Sequence, residues 1–171
     1  MTLAIAHAED EATILDAVRE AKPPFSPESV VKDFSDLLKS YGVSKVTGDR
    51  YAGEWPRERF REHGVDYEPS TKPKSDLYRD LLPTLNSGKV VLLDHPQLTT
   101  QLISLERRTA RGGRDSIDHP PGAHDDLANV AAGVVAASGA DRDLAAYASL
   151  DWVDGPDLNP QARPPGMLLV F

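Results

Sequence analysis

The opening of the chain is apolar over Leu3–Ala6 and turns polar by Glu9, so Leu3–Glu9 reads as a short strand, with Glu9-Asp10-Glu11 as a polar turn after it. Residues 12–21 fit two patterns. Ile14, Leu15 and Val18 suit a helical stripe, and the same span also suits a strand paired with the first. Lys22-Pro23-Pro24-Phe25-Ser26-Pro27 ends that element, because adjacent prolines fix φ and remove amide donors. Ser26 is then a helix cap, with Pro27 at the first helical position and Glu28 in the first turn. Val30, Val31, Phe34, Leu37, Leu38 and Tyr41 form the stripe of this helix, and Gly42 stops it.

From Val43 onward, strands and helices alternate. Val43–Asp49 reads as a strand ending in Gly-Asp, Trp55–His63 as a helix stopped by Gly64, and Val65–Glu68 as another strand. A helix follows over about Lys74–Leu85, closed by Asn86-Ser87-Gly88. Lys89–Asp94 is the clearest strand of the chain: apolar, short and sharply bounded. Pro96 opens a helix through Leu98, Leu102 and Leu105 that runs to the basic cluster at Arg107, and Arg114–His119 is a weak strand. His124-Asp125-Asp126 leads into the Ala- and Val-rich helix Leu127–Ala137. This rhythm predicts an α/β domain with a largely parallel sheet covered by helices. Beyond Gly139 the pattern fades, and Pro156, Pro160, Pro164 and Pro165 mark an extended tail. The expected division is a domain over 1–138 and a Pro-rich C-terminal extension over 139–171.

Composition narrows the chemistry. A length of 171 residues suits one domain with a real core. No apolar run approaches the ~20 residues that span a bilayer. The N-terminal stretch has no basic segment and soon reaches acids, so it does not read as a signal peptide. The absence of Cys excludes disulfides and thiolate metal sites and fits a cytoplasmic setting. A metal would be held by carboxylates and imidazoles, which favours a hard ion such as Mg²⁺ or Mn²⁺. The net charge of −8 argues against general affinity for nucleic acid. Local basic clusters remain, at Arg57, Arg59 and Arg61 and at Arg107, Arg108, Arg111 and Arg114.

In a parallel α/β sheet, ligands gather at the carboxyl ends of the strands. Asp49 and Asp94 fall at such ends, and Asp125 and Asp126 stand at the start of an apolar helix. Carboxylates converging from separate elements can hold divalent metals that activate water against a phosphodiester. Each has a plainer reading as well. Asp125 or Asp126 could be a helix cap, Asp49 a turn residue or the partner of an arginine, and Asp94 a turn or cap. His119 and His124 flank Pro-Pro-Gly as loop residues, with His124 placed to reach a metal or phosphate. The arginines of 107–114 read either as a solvated helix end or as phosphate contacts.

Ordered segments of the chain resemble one known family. Thr47-Gly48-Asp49-Arg50-Tyr51-Ala52-Gly53-Glu54-Trp55 resembles the Gly-Asp-Arg-Tyr segment of phage terminase large subunits. The likeness continues through Tyr67-Glu68-Pro69-Ser70, Lys74–Tyr78, Gln101–Arg108, Gly113–His119 and His124-Asp125-Asp126-Leu127-Ala128-Asn129, in family order over roughly 2–138. The resemblance implies a ribonuclease H-like nuclease, a mixed sheet flanked by helices, with a three-carboxylate cluster that cuts concatemeric DNA during packaging. Asp49 would be the second acid and Asp125 or Asp126 the third, binding Mg²⁺ or Mn²⁺. His124 would support them, and Arg50, Arg107, Arg108, Arg111 and Arg114 would contact DNA. Double-stranded DNA is the implied partner, together with a portal or small terminase subunit, in the cytoplasm of a bacterial host.

The chain also departs from the family. It contains no Gly-x-x-x-x-Gly-Lys-Ser/Thr sequence, so no ATP-driven translocation resides in these residues. The family's first acid lies on the first, central strand, which would precede Met1, and Asp10 and Asp16 fall on the wrong elements to replace it. A gap there would leave two neighbouring strands without backbone partners. The expectation is therefore a fragment, from a truncated prophage gene, a split gene or a misplaced start, that is weak or inactive alone. Two rivals are a non-catalytic prophage remnant that binds DNA or a packaging partner, and another ribonuclease H-like nuclease such as a junction resolvase. An unrelated small-molecule enzyme ranks last, since no Gly-rich phosphate loop is present.

Overall fold

The structure is a computed structural model that describes residues 1–49, 53–109, 115–138 and 144–150. Strands β1 (Thr2–Glu9) and β2 (Ala12–Glu20) form an antiparallel hairpin. This resolves the ambiguity of residues 12–21 in favour of a strand. Their register shifts between Ile5 and Ala6, where Ala17 and Leu15 are the successive partners, so Asp16 is an extra bulge residue. Helix α1 (Pro27–Ser40) is capped by Ser26, whose side chain accepts from the Ser29 amide, with Pro27 in the first turn as expected.

Strand β3 (Lys45–Gly48), helix α2 (Trp55–Glu62) and strand β4 (Asp66–Pro69) form a βαβ unit with β3 and β4 parallel. Helix α3 (Lys74–Asn86) leads to β5, which comprises only Val90–Val91. The clearest strand of the sequence is thus a two-residue edge piece, with Val91 51% exposed. Helix α4 (Pro96–Ser104) ends at Leu105, short of the predicted Arg107. Glu106–Thr109 is instead β6, paired antiparallel with β7 (Asp115–Asp118) in a separate hairpin. Helix α5 (Asp126–Ser138) and strand β8 (Ala145–Ser149) complete the described elements.

The main sheet has the order β4-β3-β8-β1-β2-β5. The open slot expected between β1 and β3 is filled. Strand β8, from the stretch read as an extension, is antiparallel to β1 and parallel to β3, so both neighbours have backbone partners. Two apolar layers cover the sheet. On one face Leu3, Ile5, Val46, Ala146 and Ala148 pack against Val31, Phe34 and Leu38 of α1 and Phe60 of α2. On the other, Ala4, Ala6 and Tyr147 pack against Leu77 of α3, Leu98 of α4 and Leu127, Val130 and Val134 of α5. The result is an α/β/α sandwich around a mixed sheet, the ribonuclease H-like architecture expected from the sequence.

Candidate active site

Strand register fixes which residues meet at the carboxyl end of β3. Thr47 pairs with Tyr147, Gly48 with Ala148, and Ser149 with Thr2. Side chains alternate across a strand. Because Ala148 packs on the α1 face and Tyr147 on the α5 face, Ser149 faces α5. Thr2 faces α5 too, since its Oγ1 donates to the Asp126 carbonyl at 3.3 Å. Asp49 follows Gly48 directly, in step with Ser149. The row Thr2, Ser149, Asp49 therefore crosses three strands on one face. At about 4.8 Å per strand, Asp49 stands roughly 10 Å along the row from Thr2, over which α5 begins.

Asp49 is held by its backbone. A Cβ on Gly48 would come within 2.5 Å of Cε2 of Tyr67, so only glycine lets that ring cross β3. The Tyr67 hydroxyl then donates to the Asp49 carbonyl at 2.9 Å, and the ring stacks on Phe60 with centroids 5.8 Å apart. This is the local reason for Gly-Asp at the strand end.

Helix α5 begins in an unusual way. Its free amides at Leu127 and Ala128 donate to the Gln101 side chain, at 2.8 and 3.1 Å to Oε1. Gln101 is buried on α4 and caps α5 from across the core. The plainer reading of the Asp pair as helix caps does not match this arrangement. The Asp125 carboxylate, buried at 7% exposure, accepts instead from the Tyr78 hydroxyl at 2.8 Å and from Lys74 Nζ at 3.0 Å. Lys74 Nζ also donates to Asp118 Oδ1 at 2.7 Å. Burial of the ammonium opposes its charge, but Asp118 and Asp125 outweigh that and raise its pKa. Burial would raise the Asp118 pKa, and the bonds from Lys74 and the His119 amide outweigh it, so the net shift is downward. Tyr78 is pushed far above the ordinary phenol value by burial and then by Asp125.

Asp118, His119 and Asp125 offer ligand atoms within 4.8 Å of one another, a grouping the sequence reading did not contain. Lys74 already lies between the two carboxylates, bonded to both, and offsets one of their two negative charges. Asp126 is different. It is partly exposed, and among the described residues its carboxylate has the exposed His124 imidazole as its ion-pair neighbour, at 3.9 Å. Among the described residues, two buried polar atoms near this end of α5 have no hydrogen-bond partner: Ser149 Oγ and Asn129 Oδ1.

The expected DNA contacts divide into two groups. Arg107 binds Asp115 through Nε at 2.8 Å, and Arg108 binds Glu106 at 2.9 Å and the His119 carbonyl at 3.2 Å. Both side chains stay exposed on the β6–β7 hairpin. Arg50, Arg111 and Arg114 lie outside the described residues.

Neither protein-family models nor curated proteins give a match to this chain. Solved structures do. The large terminase nuclease from thermophilic phage G20c aligns with a TM-score of 0.59 at 16% identity, covering 72% of this chain and 77% of that one. The fold is that of a large terminase nuclease. The same G20c nuclease solved with bound cobalt and with bound magnesium aligns equally well, at TM-scores of 0.59 and 16% identity. The cobalt structure is covered over 76% of its chain and the magnesium structure over 77%, against 74% and 75% of this one. Among the described residues, no helix is long and apolar enough to cross a membrane.

Proposed function

We propose that this chain is a metal-dependent endonuclease module of a viral DNA-packaging terminase, hydrolysing phosphodiesters of double-stranded DNA. The observation that carries the reading is the shared row and face of Asp49 and the start of α5, with Gln101 taking the helix amides and so releasing the acids for other work.

The donor set fits a hard divalent cation. It is all oxygen, it includes at Asp126 a carboxylate that among the described residues meets no lysine or arginine, and a buried hydroxyl on the same row has no hydrogen-bond partner among those residues. Asp49 and Asp126 would hold the metal, while Lys74 and Tyr78 clamp Asp125 beside them and set the position of the α5 N-terminus. Bound Mg²⁺ or Mn²⁺ would supply an activated water and charge stabilisation at the leaving oxygen. The G20c nuclease, solved with bound magnesium and with bound cobalt, supports this choice. Arg107 and Arg108 would exchange their intramolecular carboxylates for phosphates, with Arg50, Arg111 and Arg114 as further contacts. Such contacts position the duplex without reading sequence. His124 stands exposed beside Asp126, at 3.9 Å, where it would support that carboxylate.

The test is nicking of supercoiled plasmid in Mn²⁺ by the parent chain, Asp49→Asn and Asp126→Asn. Either substitution should lower the rate at least 100-fold, with folding unchanged by circular dichroism. Full cutting by Asp49→Asn would sink the assignment. Portal or small-subunit binding belongs to the same proposal and is read by co-purification with those proteins.

A further inference from the structure

We infer that Tyr67 is a positioning residue for the cation site proposed above, on which this inference rests, and that the segment from β4 into α3 sets the span between Asp49 and the acids of α5. Two buried tyrosines of that segment, Tyr67 and Tyr78, act through the residues they hold.

Tyr67 reaches Asp49 from the opposite layer of the molecule. Val46 pairs with Tyr67, both pack in the α1 layer, and Gly48 turns the same way as Val46 because side chains alternate along a strand. A Cβ at Gly48 would run into Cζ and the hydroxyl oxygen of Tyr67. Gly48 ends an ordinary strand and does not have a positive φ, so backbone conformation does not call for glycine there. Glycine weakens a strand, and the close approach of the ring is what explains it at this position.

With the ring seated, two successive carbonyls are tied to the β4 side. The Tyr67 hydroxyl donates to the Asp49 carbonyl at 2.9 Å, and the Ser70 amide donates to the Gly48 carbonyl at 2.6 Å. Both bonds hold the backbone, so neither uses a lone pair of the Asp49 carboxylate. The ring itself is locked by its stack on Phe60. Ligands of a functional site need to be held within about 0.5 Å by side chains fixed through packing, and this ring meets that description.

The same segment holds the other side of the site. From Tyr67 the chain passes through the buried Ser70, whose Oγ accepts from the Lys72 amide at 3.3 Å, and enters α3. There Tyr78 donates to Asp125 Oδ2 at 2.8 Å, and Lys74 lies 3.0 Å from the same oxygen. Asp126 is the next residue of the chain, so its position follows α3 as that of Asp49 follows β4. Asp49 and Asp125 stand on elements remote in sequence, and one continuous stretch bonds to both.

Titration of the full chain with Mn²⁺, followed by calorimetry and by the loss of the free-ion electron paramagnetic resonance signal, tests the assignment without reference to cutting. Tyr67→Phe keeps the ring, its stack and its approach to Gly48, and removes only the hydroxyl. Losing a group that orients a metal ligand weakens metal binding about 10–100-fold, so Tyr67→Phe should bind Mn²⁺ about tenfold more weakly, and Tyr78→Phe likewise. Val31→Ala, a truncation in the same α1 layer, should lower the urea midpoint more than Tyr67→Phe does and leave Mn²⁺ affinity within twofold of the parent. Equal losses of affinity in Val31→Ala and Tyr67→Phe would reduce the effect to general stability and overturn the inference. If Tyr67→Phe binds like the parent while Asp49→Asn binds poorly, the positioning role of Tyr67 is overturned and the site at Asp49 stands. If the parent binds no Mn²⁺, both readings fall together.

Discussion

Gly133 of α5 lies directly against the ring of Tyr147 on β8: a Cβ built at Gly133 would fall 2.5 Å from both Cδ atoms. These are atoms near the root of the ring, which cannot swing aside as a side-chain tip could. The contact lets α5 sit low on the sheet, and it sets the level of every turn of α5 relative to β8, including the acidic first turn. One missing methyl group thus governs the spacing of the candidate site, two turns away.

Gly133→Ala should destabilise the fold. Helix propensity alone predicts a gain of about 1 kcal/mol. The clash should cost more, since overpacking a tight core costs about 1–3 kcal/mol. A net loss of about 1 kcal/mol in denaturant unfolding is expected, together with weaker Mn²⁺ binding as α5 lifts. Adding Tyr147→Leu should recover stability. A Gly133→Ala chain more stable than the parent would show that α5 does not rest on this contact.

Lys74→Met should leave Asp118 and Asp125 facing each other without their cation. Lys74 is half-buried and Asp125 buried, so the loss is intermediate between a surface pair and a fully buried one, about 1–3 kcal/mol at neutral pH. The pH dependence has a definite sign. The folded-state pKa of Asp118 is depressed, so its stabilisation is full above the ordinary value of 3.8 and is lost as pH falls through the lower folded value. The gap between parent and variant should therefore narrow below about pH 4. Urea midpoints at pH 3 and pH 7 measure it, and a gap that widens in acid would contradict the ion-pair account.

The sequence carried the elements that rest on strong local chemistry. Ser26-Pro27 announced α1, and the Gly-Asp end of β3 marked Asp49. It did not reveal β8, whose residues are Ala145, Ala146, Tyr147, Ala148 and Ser149. Small residues suit a strand squeezed between α5 and the opposite layer, yet Ala has little strand propensity and a weak apolar signal. The run at Lys89–Asp94 reads as the clearest strand, but only Val90–Val91 pair in the sheet, while Val90, Leu92 and Leu93 pack partly buried against the apolar layer on the α5 face. Arg107 and Arg108 looked like a helix end, and only the pairing of Glu106–Thr109 with Asp115–Asp118 makes them a hairpin. The Asp118–Lys74–Asp125 pair joins elements 44 and 51 residues apart in sequence, a relationship no local pattern encodes.

His7 and Asp16 form a second titrating pair, at the bulge of the β1–β2 hairpin. His7 Nδ1 lies 2.8 Å from Asp16 Oδ2, and this hydrogen bond raises the histidine pKa above 6.5. A raised folded-state value means that the stabilisation is full below the ordinary pKa and disappears as pH climbs through the folded one. The hairpin should be tightest near pH 6 and loosen above neutrality, modestly, because the imidazole is more than one-third exposed. Proton-detected titration of His7 in the parent and in Asp16→Asn measures the shift. An unchanged His7 midpoint in Asp16→Asn would remove Asp16 as its cause.

Gln101→Leu separates capping from metal binding at α5. The substitution keeps the approximate volume and removes the acceptor for two buried amides, each costing about 1–3 kcal/mol when unsatisfied. Stability should fall by several kcal/mol unless Asp125 or Asp126 turns inward to cap the helix. That rearrangement would rescue folding at the expense of the site, since a carboxylate bound to α5 amides has fewer lone pairs for a cation. The expected outcome is a folded chain with reduced stability and Mn²⁺ affinity at least tenfold below the parent. Gln101→Glu keeps an acceptor and should retain more stability than the leucine variant. Gln101→Leu with parental stability and parental Mn²⁺ affinity would mean that the α5 amides find another partner and that Gln101 does not hold the acids free.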